Sequence, residues 1–571
     1  MFTGQRPGQV VYTNKAKCRD CYRCVRACPV KAIAVVDGQA FVDNDTCIAC
    51  GTCIRECPQG AKTYRNDIDK ATELLHLMPK KRIAVSLAPS FAGSFAAWEL
   101  KRIPSALRVM GFEHVSETSI GAYMLAQSTK ETLSHPTESQ FFSSCPAFVA
   151  YVQHKVPQKA KHLMPYLSPM AIHAKYLKTH HGIDAVVFVG PCIAKKREAE
   201  SADVAPWVDC VLTFDELRQW LVSAKVDLKK CEESAFDLVA PKPARVYSLE
   251  GGALSLTFGE APMCDAVRIA ACGEAKIKAL LSDDAPRTVI AETLFCDFGC
   301  ADGPGTEKNT NPFDKVSAVM RYAATPQPET VSSFETIACG RTFTAPQDSA
   351  DTVSEEQLQE ALQHVGKYSK DDELNCGACG YSSCRDKARA VVKGFAESQM
   401  CLPYMRMLAE RKTDKIIESS PNGIVIMDSD LKITYMNPAF SEMFSCTPGV
   451  LGKHISYLMD PEPYERVRRK EIVRFDKKVI HHAYNIVARE VIYPIEEGLQ
   501  YAAFFINISK SDKAKEELVK FKHQALAKAR KLHEHQIKSI QNLAQALGEY
   551  AARGEELVDT VIETVEGIDD T

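Results

Sequence analysis

Four cysteines stand in three separate segments: Cys145 in Ser143-Ser144-Cys145-Pro146, Cys192 in Pro191-Cys192-Ile-Ala-Lys195-Lys196-Arg197-Glu198, and Cys296 with Cys300 in Glu292-Thr-Leu-Phe-Cys296-Asp-Phe-Gly-Cys300. The last pair is one arm of a thiolate site and needs partners from elsewhere in the chain. If all four meet, they form a metal site assembled from three segments. Isolated cysteines are otherwise small buried hydrophobes, and that is the reading for Cys210, Cys231, Cys264, Cys272, Cys339 and Cys446.

Eight more cysteines form a repeat. Cys18, Cys21, Cys24 and Cys28-Pro29 return 29 residues later as Cys47, Cys50, Cys53 and Cys57-Pro58. This is the two-cluster ferredoxin run, in which each fourth cysteine serves the other cluster. One 4Fe-4S cluster is expected on Cys18, Cys21, Cys24 and Cys57, the other on Cys47, Cys50, Cys53 and Cys28. A third set, Cys376, Cys379, Cys384 and Cys401, has its fourth member across a stretch, 385–400, expected to be helical. It resembles the small 4Fe-4S module of corrinoid iron-sulfur proteins and membrane electron-transport complexes. Zinc remains the alternative, although four-cysteine zinc sites usually pair two short Cys-x2-Cys arms.

The elements that must position these residues are legible in outline. Residues 32–42 read as a hairpin through Asp37-Gly38. Strands at Ile83–Leu87, Gln140–Ser144 and Ala185–Gly190 alternate with helical stretches such as Ala97–Met110, a pattern that argues for α/β lobes with parallel strands. Cys145 and Cys192 directly follow strands, and open α/β sheets hold ligands at their carboxyl ends. The expected fold class is multidomain α+β and α/β. Its segments are a two-cluster ferredoxin domain at 1–75, a two-lobed α/β catalytic domain at 78–350, a 4Fe-4S domain at 355–408, a sensor domain at 410–510, and a coiled-coil helix with an acidic tail at 511–571.

The three cysteine segments resemble, in order, the three signature segments of the FeFe hydrogenase catalytic domain, and Ala88-Pro89-Ser90 matches a segment that lines the active site of that family. The resemblance covers roughly 270 residues. It implies that Cys145, Cys192, Cys296 and Cys300 hold the H-cluster, a 4Fe-4S cubane joined to a two-iron unit with CO, cyanide and a bridging dithiolate bearing an amine. Cys300 would be shared between the two parts. Lys195 would hydrogen-bond a cyanide, a suitable task for an ammonium facing an anionic ligand. Lys195 and Glu198, with Ser144, complete the candidate catalytic residues; the three-residue spacing of Lys195 and Glu198 also allows a surface ion pair.

Departures from the family pattern carry information as well. Ser144 stands where hydrogen-producing members have the cysteine that gives the last proton. The two glutamates of the usual proton path fall at Thr129 and Thr132. Gly190 and Leu294 replace methionines, Phe148 replaces a tryptophan, and Ser168-Pro169-Met170 lacks the usual glutamine. Changes around metal ligands tune a centre and slow it rather than prevent its assembly.

Residues 416–440, ending in Asn437-Pro438-Ala439-Phe440, resemble the opening of a PAS sensor domain, with later strands expected at 484–491 and 499–508. Its ligand is unknown; His481-His482 allows haem, and Cys446 a redox thiol, although histidines on a strand are more often structural. In 511–565, Leu518, Phe521 and Ala525, then Ile537, Ile540, Leu547 and Tyr550, keep a three-four spacing with a shift of phase between them. A coiled coil or a single packed helix both fit.

Composition excludes some classes. Among 571 residues the net charge is -3, which gives no electrostatic case for nucleic acid, and no apolar run reaches a membrane span. Twenty-two cysteines without a secretory leader fit metal in a cytoplasmic protein better than disulfides. The whole resembles a sensory FeFe hydrogenase of low turnover acting on H2 and protons. The resemblance implies a ferredoxin-like electron partner, maturation proteins, a signalling kinase or protein phosphatase as reader, and a homodimer through the PAS and coiled-coil segments. Two alternatives stay open: a working ferredoxin-linked hydrogenase, and an iron-sulfur assembly relative without hydrogen chemistry. Ser144→Cys is expected to raise turnover by roughly tenfold or more, since a thiol near pH 8.5 relays protons that a serine cannot release by ionisation. Hydrogen evolution by the matured variant beside wild type checks this, and equal rates would place the limit elsewhere.

Overall fold

The computed structural model describes residues 8–76, 81–133, 136–259, 266–282, 288–308, 310–325, 337–344, 353–496 and 498–509, with positions 334, 525, 526, 528 and 530. The coiled-coil expectation at 511–571 and Cys264 fall outside these residues. The chain divides into two compact units, Met1–Met405 and Arg406–Thr571.

In the first unit the cysteine repeat folds as two matching halves. Each Cys-x2-Cys-x2-Cys run enters a one-turn helix, Arg23–Ala27 or Thr52–Glu56, and a proline then turns the chain away. The Asp37-Gly38 turn closes the antiparallel hairpin Ile33–Val36 with Gln39–Val42, and Val11–Thr13 pairs with Lys62–Tyr64.

Two parallel sheets follow. One has the order His114–Glu117, Ile83–Leu87, Ala185–Gly190, Cys210–Thr213; the other has Val267–Cys272, Val289–Leu294, Gln140–Phe141. Ala185–Gly190 and Val289–Leu294 are buried along their whole length, as the middle strands of sheets covered on both faces must be. Two expected elements are shorter than their sequence pattern. The stretch 97–110 becomes turns and a helix only over Ile103–Val109, because Pro104 belongs in a first turn and not in a helix interior. The strand expected over 140–144 ends at Phe141, and the following residues run extended into the helix Pro146–Lys155.

The ferredoxin half is locked to the sheets by buried charge. Lys196 is fully buried; its Nζ donates to Asp67 at 2.7 Å, to Glu216 at 2.9 Å and to the Val211 carbonyl at 3.0 Å. Removing one partner of such a group costs about 3–5 kcal/mol, because the rest stay buried unpaired. Further along, the helix expected over 385–400 stops at Val392, at the Lys393-Gly394 end, and a short turn at Ser398–Met400 presents Cys401.

The second unit contains a five-stranded antiparallel sheet in the order Ile433–Met436, Gly423–Asp428, Gln500–Asn507, Ile486–Glu496, Phe475–His481. Asn437 is its organising side chain. Its Oδ1 accepts from Ile424 at 2.8 Å and caps the next helix at Phe440, while its Nδ2 donates to the carbonyls of Ile417 and Asn422, both at 2.9 Å. Strand Phe475–His481 escapes the sequence pattern because its edge position leaves Lys477, Lys478 and Ile480 exposed. His481 is buried against Phe444 and His482 is exposed, so the two histidines do not share a site.

Glu490 sits in this core, accepting a short bond from Tyr464 Oη, and burial raises its carboxyl from 4.5 to about 7. Between those values the folded state keeps a proton that the unfolded chain has lost, so stability falls as pH rises from about 4.5 to about 7, by about 3 kcal/mol. The melting transition of this unit is expected to drop over that window in wild type and to stay level in Glu490→Gln, read by calorimetry.

Candidate functional site

Strand ends bring the four cysteines together. Cys192 follows the central strand Ala185–Gly190 of one sheet. Cys145 and Cys296 follow Gln140–Phe141 and Val289–Leu294 of the other, and a short turn over Gly299–Asp302 returns Cys300. Cys145, Cys192, Cys296 and Cys300 line one cavity of about 360 Å³, together with Cys50 of the ferredoxin half. All four cysteines are half-buried, and loss of hydration around the sulfurs pushes each thiol up; Cys192 reaches about 11, raised further by Cys145 and lowered by Lys195. Neutral thiols hold nothing together, whereas a cationic metal core converts such thiols to thiolates. The donor set and its enclosure therefore fit an iron-sulfur cubane.

Cys192 and Cys300 also face a second cavity, of about 610 Å³. Its wall is mostly apolar, with Ala88, Pro89, Met170, Phe188 and Leu294. Among the polar groups that also line it are the Lys195 ammonium and the hydroxyls of Thr118, Ser119, Ser144 and Tyr247, with those of Ser90 and Ser248, which are buried without a hydrogen-bond partner. Donors left unpaired in an apolar chamber fit small anionic or dipolar ligands on a metal unit joined through Cys300. Gly190 explains one departure in sequence: a Cβ there would meet Phe188 Cζ at 2.5 Å, so the phenylalanine ring takes the space a longer side chain would need.

Lys195 and Glu198 do pair, at 2.6 Å, but the pair is buried rather than on the surface. Glu198 also accepts from Arg341 at 3.1 Å and stands behind Lys195, off the cavity wall; Lys195 Nζ donates further to the Ser144 carbonyl at 3.1 Å. Glu198 thus positions an ammonium that reaches the chamber. Ser144 lines the chamber and its hydroxyl lies 2.7 Å from Tyr247 Oη. Beyond Tyr247 comes Glu292, raised to about 7 by burial although the amides of Gly251, Ala253 and Leu254 all donate to it. Thr129 is buried with its hydroxyl on the Leu125 carbonyl, and Thr132 bonds Tyr166, so neither position supplies a carboxylate. Tyr247, Ser248, Thr118 and Phe188 had no signal in the sequence that tied them to the site, since each reaches it only through packing.

The ferredoxin cysteines lie near one another in two groups. Cys24 feels Cys21, Cys18 and Cys57, while Cys53 feels Cys50, Cys47 and Cys28. The second group adjoins the four-cysteine cavity. Arg197, from the helix after Cys192, donates to the Asn44 and Cys47 carbonyls, and Gly51, at φ +79°, packs so close to Pro304 that a Cβ would lie 2.3 Å from it. Cys376, Cys379, Cys384 and Cys401 line a cavity of about 470 Å³ with Tyr381 and Lys387. That module is hydrogen-bonded to the ferredoxin hairpin, Val35 N–H donating to the Phe395 carbonyl at 3.0 Å. Of the six scattered cysteines, Cys210, Cys272 and Cys339 are buried as expected; Cys231 and Cys446 are only half-buried, lying at the margins of their clusters.

Comparison with known proteins gives four family matches: the iron-only hydrogenase large subunit, C-terminal domain, over residues 81–304; the 4Fe-4S dicluster domain over 10–70; an Fe-S cluster family over 372–403; and the PAS domain over 411–478. Among curated proteins, the cytosolic Fe-S cluster assembly factor NAR1 of Eremothecium gossypii is 28% identical over 179 residues, 28% of this chain and 39% of that protein. NAR1 of Kluyveromyces lactis is 32% identical over 87 residues, 15% of this chain. The chain thus spans 39% and 19% of the lengths of these two relatives. Among solved structures, the FeFe-hydrogenase HydA1 from Chlamydomonas reinhardtii aligns with 46% of this chain and 91% of its own at 17% identity and a TM-score of 0.37. The PAS domain of an HTR-like protein from Haloarcula marismortui aligns with 18% of this chain and 99% of its own at 18% identity and a TM-score of 0.16. Among the described residues, no helix is long and apolar enough to cross a membrane.

The two ferredoxin groups differ in a testable way. Cys57→Ala is expected to cost the cluster of Cys18, Cys21 and Cys24, and Cys28→Ala the one beside Cys50, each variant losing about four irons. Iron content with electron paramagnetic resonance distinguishes the two, and loss of the Cys18 group in Cys28→Ala would reverse the assignment.

Proposed function

From the premise that the chain is a FeFe-hydrogenase-like protein carrying a PAS domain, we propose that it is a sensory hydrogenase. It converts H2 reversibly to two protons and two electrons at low turnover and passes redox state to the PAS segment. The observation that supports this reading is the pair of adjoining cavities sharing Cys192 and Cys300, one lined by four cysteines and one largely apolar with Lys195 on its wall.

On this reading Cys145, Cys192, Cys296 and Cys300 hold the H-cluster, whose irons supply the Lewis acidity and whose bridging amine supplies the base. Lys195, fixed by Glu198, donates toward an anionic ligand, and Ser90 and Ser248 offer two further donors. The apolar wall keeps water from competing with them. Ser144 and Tyr247 can pass a proton only in concert, since neither hydroxyl ionises readily in this setting, which suits slow turnover. Cys50, on the wall of the four-cysteine cavity, would stand between that centre and the ferredoxin clusters, and Cys376, Cys379, Cys384 and Cys401 would hold a third 4Fe-4S cluster, the clusters supplying one-electron carriers when bound. In sequence, Cys401 directly precedes the helix Leu402–Glu418 that leads to the PAS strand at Gly423, so redox state at this module is well placed to bias the sensor. The reader is a kinase or protein phosphatase, and a ferredoxin-like partner exchanges electrons.

A second reading, an assembly factor holding cubanes without the two-iron unit, is favoured by the partial match to NAR1. Infrared spectroscopy of the matured protein with an H2 assay separates them. Carbon monoxide and cyanide bands with slow H2 uptake are expected. A full complement of cubanes without such bands would sink the hydrogenase reading in favour of the second.

A further inference from the structure

The strands of a parallel sheet covered on both faces usually carry near-continuous apolar residues. An interior strand and its edge neighbour here do not. Ile83–Leu87 contains Ser86, and His114–Glu117 contains His114 and Ser116, with Ser86 and Ser116 side by side in the strand register. His173, from the helix Pro169–His180 that covers this face, is completely buried above them. Its Nδ1 is 2.8 Å from Ser86 Oγ and its Nε2 is 3.1 Å from Ser116 Oγ. Ser86 Oγ lies 2.7 Å from Thr118 Oγ1, and Thr118 is part of the wall of the cavity that Cys192, Cys300 and Lys195 share.

Alternation along a strand puts His114, Ser116 and Thr118 on one face, so this polar line runs from the cavity at the carboxyl end of the sheet toward its amino end. There the His114 side chain is 16% exposed, its Nδ1 3.9 Å from Asp237, which Arg108 holds at 2.6 Å. Its other nitrogen, Nε2, is buried with no hydrogen-bond partner. The ring of His181 lies 5.4 Å away, and Arg82 donates to the His181 carbonyl. From Ser116 to His114 is two strand residues, about 7 Å, too far for a direct hydrogen bond, so the last step of a path along this face needs a bridging water.

We propose that Thr118, Ser86, His173 and Ser116 form a proton relay between the Cys300 cavity and the solvent-facing imidazole of His114. The proposal rests on the hydrogenase reading for its purpose, but not for its geometry. A polar cluster that only satisfied its own core would be closed at both ends; this one opens on the cavity at one end and on a partly exposed histidine at the other. Burial lowers His173 to about 3, so the ring is neutral at ordinary pH and passes protons by changing tautomer rather than by becoming charged.

The transfer balances atom by atom. A proton released in the cavity is taken by Thr118 Oγ1, which gives its own to Ser86; Ser86 gives its own to Nδ1 of His173, whose Nε2 proton passes to Ser116. Ser116 then gives its proton through the water to His114 and on to Asp237 or solvent. Each group loses one proton as it gains one, and no charge remains inside. The ring is left in its other tautomer and must rotate back within a packed core before the next proton, which makes the relay slow.

The test uses the full chain, matured, with Ser86→Ala and Ser86→Thr. By 15N resonance of labelled histidine, wild-type His173 is expected to show both tautomers in exchange, and Ser86→Ala only one. In the H2 assay, Ser86→Ala is expected to lower uptake roughly tenfold or more and to raise the solvent isotope effect, with infrared bands unchanged and Ser86→Thr restoring the rate. If Ser86→Ala fails to fold, Ser116→Ala cuts the same line beyond the ring. Unchanged uptake and isotope effect, or a single fixed tautomer in wild type, overturns the relay. Absence of infrared bands and of uptake in wild type instead overturns the hydrogenase reading and leaves the relay to the tautomer measurement.

Discussion

Four converging thiols impose the constraint on which the first unit depends. Cys145, Cys192, Cys296 and Cys300 are half-buried around one cavity, and desolvation makes each a weaker acid than a free cysteine. Such a cluster is unfavourable until a cation binds, so assembly of the centre and consolidation of the fold are linked. The two parallel sheets make this possible by ending at one place. Strand ends are where backbone groups leave the ladder and side chains can converge, and three of the segments that carry thiols start there.

The charged groups around this centre divide the labour. Lys196, with Asp67 and Glu216, is closed off and ties the ferredoxin half to the sheets. Lys195, its neighbour in sequence, is turned to the chamber and kept there by Glu198 and the Ser144 carbonyl. Adjacent lysines on one helical turn point about 100° apart, which lets one serve the fold and the other the site. Arg197, next again, reaches the carbonyls of Asn44 and Cys47 and brings Cys50 to the cubane cavity. One short helix, Ala194–Glu198, therefore carries a buried anchor, a chamber-lining lysine and a tie to the ferredoxin half.

Hydroxyls rather than carboxylates dominate the polar side chains that line the chamber. Around the chamber, hydroxyls replace acids: Ser144 with Tyr247 on one side, Thr118 with Ser86 on the other. Hydroxyl chains move protons only in concert and need reorientation after each passage. Glu292 is the nearest carboxyl beyond Tyr247, and burial holds it at about 7, a value suited to exchange near neutrality.

The sequence by itself determined that the repeat at Cys18–Cys57 is an iron-sulfur segment, because short cysteine intervals are local geometry. The convergence of the three segments that carry Cys145, Cys192, Cys296 and Cys300 and the Asn437-Pro438 helix entry were legible as well. Local signals also misled: the patterns over 97–110 and 385–400 promised longer helices than Pro104 and the Lys393-Gly394 end permit. What only tertiary structure decided is everything that depends on side chains meeting across sequence distance. Tyr247 reaches Ser144 over 103 residues, Arg341 reaches Glu198 over 143, and His173 joins Ser86 over 87. No periodicity encodes such contacts, because they arise from how two sheets and their covering helices pack, and packing is a property of the whole chain.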